Sequence, residues 1–381
     1  MDTLKEHYTV AIIGGGPKGL VLQHELEEAG MNSILIEAGE CGRTWNEAHM
    51  NKKIPITPPD LEISNLASAS FQDFLRTLSP AQLRRDPLIE NLYPTVGHLR
   101  RYLKKLRQKI KESINNCLVT DIIPHDDTFR LETTKGQTSV RNVVLSTGLV
   151  GYGNTEFKKD PTGLLGETPH VQHQPATLRR ESELANWVKG CQKIAIIGAG
   201  PAAFSSLTSF NNLGLQAQVH VIEIDRVRDR LLGQGGTTSQ ELQRLAQHLL
   251  PDVLKGNLNL TFHDHSTVKG AEAEEASVQL YIEANNHSQA LSVDRVLLCT
   301  GFEYNFAQLP FTQRIRADRS LEIKKGFPVI NPSHQVMSSN GPLNLYMLGA
   351  GASHLGHQHI TLKSTPRAVN TIISSIKQNT L

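Results

Sequence analysis

The sequence predicts an α/β fold made of two parallel-sheet domains built on one plan, the second inserted into the first. Three observations predict it. A glycine-rich turn between a β-branched run and a helical stretch occurs twice, at Gly14 to Gly19 and at Gly198 to Ala203. Each copy is followed by a second apolar run that ends in a carboxylate, Glu37 and Glu223. Two further apolar runs end in Thr-Gly, at Thr147-Gly148 and Thr300-Gly301, each about a domain's length after its own glycine turn. A chain of 381 residues is too long for one small core and fits two medium domains.

The first copy opens with Tyr8 to Ile13, an apolar β-branched run of the kind a buried parallel strand requires. Gly14 permits a tight turn, Gly15 and Gly16 keep the backbone bare, and Gly19 lets the following helix pack close to the strand. That helix is expected over Pro17 to Ala29, stopped by Gly30, and Ser33 to Ile36 is the next strand. The order strand, glycine turn, helix, strand, acid is the dinucleotide-binding fingerprint of a Rossmann-like domain. The pyrophosphate sits on the helix N-terminus and Glu37 accepts from the ribose hydroxyls. Its place near the N-terminus favours FAD. In the second copy Ile194 to Ile197 leads into Gly198-Ala199-Gly200-Pro201, with Ala203 in the third glycine position, which the motif tolerates. Phe204 to Leu213 is the expected helix and Gln218 to Ile222 the next strand. This site is read as one for a nicotinamide nucleotide. Glu223 suits a free ribose 2′-hydroxyl and hence NADH. Arg226, Arg228 and Arg230 suit a 2′-phosphate, or form a solvated loop with Asp225 and Asp229. The reading leans to NADPH, with NADH left open.

The runs Arg141 to Leu145 and Asp294 to Leu298 are expected to close the two nucleotide-binding sheets, with Gly148 and Gly301 turning the backbone beside a cofactor. The FAD domain is expected to take 1–160 and return for 305–381. The nicotinamide domain fills 161–304. Residues 46–92 are broken by Pro55, Pro58, Pro59, Pro80 and Pro87 and read as irregular chain over the flavin and substrate. Residues 263–292 read as a polar β-meander. Leu99, Tyr102, Leu103, Leu106 and Ile110 form the apolar stripe of a basic amphipathic helix, read as one face on the core and one in solvent. A C-terminal helix is expected from about Ser364 with Val369, Ile372, Ile373 and Ile376 inward.

A formal net charge of +2 gives no global electrostatic case for nucleic acid or an anionic membrane. No apolar run reaches the roughly 18 residues a membrane span needs. The first residues, Met1 to His7, carry no apolar signal core, so the cytoplasm is the expected location. Cys41, Cys117, Cys191 and Cys299 form no C-x-x-C pair, which disfavours a dithiol mechanism and a zinc knuckle. No metal site is expected. His354, His357 and His359 have no carboxylate or cysteine to complete a ligand set and read as a cofactor- or substrate-facing loop after Gly349-Ala350-Gly351.

The two fingerprints together with Asp294-x-x-x-Leu298-x-Thr300-Gly301-Phe302 resemble the class B flavoprotein monooxygenases, a likeness that spans nearly the whole chain. Gly42-Arg43-Thr44-Trp45 is similar to the G-G-T-W that follows the FAD acid in the Baeyer–Villiger branch, and Tyr93-Pro94-Thr95 to a recurring family segment. Asp294 to Phe302 and the degenerate Ser353 to Ser364 stretch lean to the lysine/ornithine N-hydroxylating branch. Leu164 to His170 partly resembles the F-x-G-x-x-x-H segment of other branches. The resemblance implies that NAD(P)H reduces bound FAD and that one atom of O2 is delivered to a small-molecule substrate, on this branch an amine nitrogen. It implies cofactor contacts at Thr44, Trp45, Gly349 and Gly351, and requires no nucleophilic side chain. The competing readings are an FAD-dependent reductase that passes electrons to a quinone, disulfide or protein partner, and a non-catalytic flavin-bound sensor.

Overall fold

The computed structural model describes residues 4–42, 62–79, 96–148, 160–173, 181–227, 258–285, 287–301, 306, 309–324, 326–355 and 362–379. The chain folds as two compact units, 1–157 with 303–381, and 158–302.

The first unit begins β1 (His7–Ile13), α1 (Pro17–Glu28), β2 (Ser33–Ile36), α2 (Phe71–Arg76), α3 (Val96–Lys109), β3 (Ser113–Ile114), β4 (Val119–His125), β5 (Thr128–Thr133) and β6 (Gly136–Leu145). The inserted unit follows with β7 (Val171–His173), α4 (Glu181–Val188), β8 (Lys193–Ile197), α5 (Pro201–Asn212), β9 (Gln218–Ile222), β10 (Asn259–His263), β11 (Ser266–Ala273), β12 (Val278–Ala284), β13 (His287–Val293) and β14 (Arg295–Leu298). The chain then returns to the first unit with α6 (Gln313–Arg319), β15 (Ile323–Lys324), β16 (Phe327–Pro328), β17 (Gln335–Ser338), β18 (Gly341–Met347) and α7 (Thr365–Gln378).

The main sheet of the first unit runs β17-β18-β6-β1-β2-β3, with β5 added to β6 and β4 to β5. Strands β18, β6, β1, β2 and β3 are parallel, and Val10 to Ile13 pair with Ser33 to Ile36 on one side and Asn142 to Leu145 on the other. Alternate residues of β1 face opposite sides, as the period of two demands. Val10 and Ile12 enter the layer formed by Leu20, Leu26, Leu99, Tyr102, Val369 and Ile372 of α1, α3 and α7. Ala11 and Ile13 enter the opposite layer with Phe129, Leu131, Phe306 and Phe311. Central strands buried on both faces explain why Tyr8 to Ile13 reads as a continuous apolar run.

In the inserted unit a five-stranded parallel sheet has the order β10-β9-β8-β14-β7. Ile194 and Ile196 pack with Phe204, Leu207 and Phe210 of α5 on one face. Ala195 and Ile197 pack on the other with Val268, Leu280 and Ile282 of the antiparallel three-stranded sheet β11-β12-β13. The polar meander expected over 263–292 is thus a separate sheet that lays its apolar face on the parallel one. Helix α5 begins three residues before the expected Phe204, because Pro201 occupies the first helical position, where its missing N–H costs nothing. The basic helix α3 has its apolar stripe fully in the core and its Arg101, Lys104 and Lys105 in solvent. Of the irregular 46–92 stretch, 62–79 forms a single 3-10 turn, Ala67–Ala69, and α2. The rest lies outside the described residues.

Candidate nucleotide-binding sites

In each unit one central parallel strand, β1 or β8, ends in a glycine turn, and the two turns are built alike. After β1, Gly14 adopts φ +107°, and a side chain there would begin 2.4 Å from the Ser146 carbonyl oxygen. After β8, Gly198 adopts φ +94°, and a side chain would begin 2.6 Å from the Cys299 carbonyl oxygen. The backbone of the neighbouring strand therefore dictates glycine at both positions. Gly16 and Gly200 are different. Their φ values, −70° and −78°, suit any residue, and nothing lies within 4 Å of a Cβ built there. The bare backbone faces open space.

Helices α1 and α5 start from these open glycines with Pro17 and Pro201 in the first turn and without a side-chain cap. Their first-turn N–H groups and the positive end of the helix dipole are thereby left for a bound anion. The donor set and the open cradle fit a dinucleotide pyrophosphate at both places.

The acids at the strand ends repeat the same geometry. Glu37 accepts from Gly15 N–H at 2.6 Å and from Gly39 N–H at 2.9 Å. Glu223, only 8% exposed, accepts from Ala199 N–H at 2.7 Å and from Ile224 N–H at 2.8 Å. Each carboxylate ties the end of its strand back to the glycine turn, which fixes it beside the place an adenosine ribose would take. Gly148 and Gly301, φ +72° and +79°, end the neighbouring Thr-Gly segments. His173 Nε2 donates to the Gly301 carbonyl at 3.0 Å. Thr300 leads into that turn next to Cys299, whose N–H pairs with the Ile197 carbonyl.

The remaining expected contacts divide. Gly349 (φ +82°) and Gly351 lie in the 3-10 turn Gly349–Leu355 that follows β18. Arg226 is exposed on the segment after Glu223, behind Ile224 at 59% exposure. Thr44, Trp45, Arg228, Arg230, Tyr93 to Thr95, His357 and His359 lie outside the described residues. Asp294 is placed in the linkage of strands: its Oδ2 accepts from Gln192 and Lys193 N–H, pinning β14 to the start of β8. His170 is engaged by Arg295 Nη1 at 2.5 Å at the edge by β7.

Two side chains acquire a meaning that sequence spacing did not give them. Cys41 lies under the first turn: a side chain at Gly15 would begin 2.6 Å from its sulfur, and its thiol donates to Asn115 Oδ1 at 3.1 Å. Burial pushes that thiol up to about 11, so it is protonated and a poor nucleophile at neutral pH. None of the four cysteines is in a disulfide. Lys18, a non-glycine position of the fingerprint, is only 6% exposed. Its ammonium donates to Ser364 Oγ at 3.0 Å, and burial lowers its pKa to about 7.

A family model described as pyridine nucleotide-disulphide oxidoreductase matches residues 11–349. No curated protein matches the sequence at a significant level. Solved structures share the fold at low identity. The ornithine N-hydroxylase KtzI of Kutzneria sp. 744, solved with reduced FAD, NADP+ and L-ornithine, is 18% identical with a TM-score of 0.74 over 98% of this chain and 100% of that one. The FAD-bound cadaverine monooxygenase DfoA of Erwinia amylovora is 14% identical, TM-score 0.77, over 98% and 95%. The bacillithiol disulfide reductase of Staphylococcus aureus is 16% identical, TM-score 0.68, over 99% and 100%.

Proposed function

The chain belongs to the pyridine nucleotide-disulphide oxidoreductase family, and from that premise we propose that it is an FAD-dependent, NADPH-driven monooxygenase that hydroxylates an amine nitrogen of a small molecule. The observation that carries the reading is the matched pair of open glycine cradles, at Gly16 and Gly200, in a chain whose cysteine beside the first cradle is a buried, protonated thiol. The first cradle, in residues 1–160 with 305–381, takes FAD. Gly14, Gly15, Gly16, Pro17 and Gly19 receive the pyrophosphate, Glu37 the adenosine ribose, and Gly148, Gly349 and Gly351, with Thr44 and Trp45, the flavin half. The second, in 161–304, takes NADPH on Gly198, Gly200, Ala203 and Glu223, with Arg226 and Arg228 for the 2′-phosphate and Thr300 and Gly301 beside the nicotinamide. NADH is the weaker alternative there.

FAD, when bound, supplies the two-electron and O2 chemistry that protein side chains lack. The chain's own part is to bind and orient: helix heads neutralise phosphate charge, the two glutamates fix the ribose ends, and bare glycine backbone admits both dinucleotides closely. The reaction balances as R–NH2 + O2 + NADPH + H+ → R–NHOH + NADP+ + H2O, with no side-chain nucleophile. We place it in the cytoplasm; among the described residues no helix is long and apolar enough to cross a membrane. The fold shared with ornithine, lysine and cadaverine hydroxylases supports an amine as substrate. The fold shared with bacillithiol disulfide reductases keeps a second reading in play, electron delivery to a disulfide.

The deciding experiment measures NADPH oxidation, O2 uptake, peroxide and hydroxylamine for the purified flavoprotein with diamines and basic amino acids. Hydroxylamine formed in step with NADPH is expected. Peroxide as the sole product with every amine, together with turnover of a low-molecular-weight disulfide, would replace this reading by the second.

A further inference from the structure

Lysine is among the residues least often buried, because an ammonium loses strong hydration. Lys18 is nevertheless 6% exposed, in the first turn of α1, at the cradle where Gly16 opens. Its Cδ lies 3.6 Å from where a side chain at Gly349 would begin, and its Nζ reaches Ser364 Oγ at 3.0 Å. Ser364 is the residue from which α7 starts, and its side chain makes no capping bond to that helix. The ammonium thus lies at the head of α7 while its own backbone lies in the head of α1, and both helix ends carry partial charge of the same sign as the lysine. At the corresponding place in the second cradle stands Ala202, which brings no charge.

We propose that Lys18 is a phosphate-binding residue of the first cradle, and that its charge makes this cradle retain its dinucleotide while the second exchanges one. This rests on the reading that the first cradle holds FAD. An anion at the turn is what such a convergence of like-signed groups accommodates, and FAD's diphosphate carries its negative charge to the helix head in whose first turn Lys18 lies. Burial strengthens the attraction, since little water screens it. A bound diphosphate would also favour the protonated lysine, which burial alone lowers to about 7. The asymmetry fits the two roles: a resident cofactor must outlast many turnovers, whereas a nicotinamide must leave after each.

The test is FAD binding by the full chain after removal of its flavin, followed by quenching of flavin fluorescence, with release timed after dilution. Lys18→Met, an apolar side chain of similar length, should raise Kd at least about tenfold and speed release by a similar factor. Lys18→Arg keeps the charge and should stay within about threefold of the parent. Thermal unfolding of the flavin-free variants checks that both are folded. An unchanged Kd in Lys18→Met, with the parent chain binding FAD, overturns the proposal and leaves the FAD reading standing. So does an arginine variant as weak as the methionine one, since shape would then matter and charge would not. A parent chain that binds no FAD overturns the FAD reading itself.

Discussion

At the first cradle the helix begins Pro17-Lys18-Gly19, and at the second Pro201-Ala202-Ala203. Around these triplets the two sites agree closely. Gly14 and Gly198 share a positive φ imposed by the carbonyl of the neighbouring strand, and Glu37 and Glu223 accept the same backbone N–H. The third motif position separates them. A side chain at Gly19 would begin 2.1 Å from the Gly14 carbonyl oxygen, whereas Ala203 fits its own turn, fully buried with Leu207 and Phe210. The first helix therefore sits closer to its turn than the second. The comparison separates what any dinucleotide turn needs from what each site adds: close approach and a cation in one, a small apolar pair in the other.

The sharpest way to break this comparison is to fill each cradle without straining it. Gly16→Val and Gly200→Val place a side chain in open space at an ordinary φ, so folding should be preserved. Gly16→Val should cut the flavin-to-protein absorbance ratio at least about tenfold. Gly200→Val should retain flavin and lose its rapid reduction by NADPH in stopped-flow traces. If each variant did what is expected of the other, the cofactor assignment would be reversed. The third motif position comes next. Gly19→Ala must displace backbone and should cost about 3 kcal/mol in urea unfolding. The reverse change, Ala203→Gly, should cost only about 1 kcal/mol through helix entropy. Equal costs would mean that the two helices approach their turns alike. Cys41 gives a smaller effect. With its thiol pushed up to about 11, native protein at pH 8 should leave Cys41 unalkylated by iodoacetamide while unfolded protein reacts, as peptide mass mapping would show. Rapid native labelling would restore a thiol-based reading.

Much of this was legible because dinucleotide turns write their geometry into residue type. Gly14 must be glycine for a carbonyl that belongs to a strand more than a hundred residues away, yet the requirement appears locally as a letter. Strand runs such as Ser33 to Ile36 and Gln218 to Ile222 match the structure because parallel strands buried on both faces leave little choice of residue. Helix α5 starts at Pro201, ahead of the expected Phe204, because apolar periodicity becomes visible only after the first turn, while the cap itself is made by backbone. Lys18 is silent in the sequence for a different reason. Its burial depends on Gly349 and Ser364, some 330 residues on, and no local pattern announces that. Asp294 is the opposite case: a motif acid suggestive of chemistry, used by the fold to tie β14 to β8.

The last difference between the units is how they meet acid. In the first unit the ring Nε2 of His24 lies 3.3 Å from Ser68 Oγ, and burial holds this histidine below its ordinary pKa. In the inserted unit His220 and His263 lie side by side on β9 and β10, Nδ1 to Nε2 at 3.0 Å. Gln289 Nε2 donates to His263 Nδ1 at 3.3 Å, so His263 carries its proton on Nε2 and donates it to His220 Nδ1. A second proton on His220 would have to enter at that same nitrogen, against the His263 N–H. Burial first, and His263 second, hold His220 down to about 4. Because the folded pKa is depressed, this group's stabilising contribution is complete above about pH 6.5 and is lost as pH falls toward 4. By pH 5 the loss should be about 2 kcal/mol. Trp187 of α4 reports on this unit, so urea unfolding followed by its fluorescence at pH 7.5 and pH 5 measures the loss. His220→Gln, which cannot titrate, should remove most of the difference between the two pH values. An identical pH dependence in that variant would assign the acid sensitivity elsewhere and would leave the two units alike in this respect.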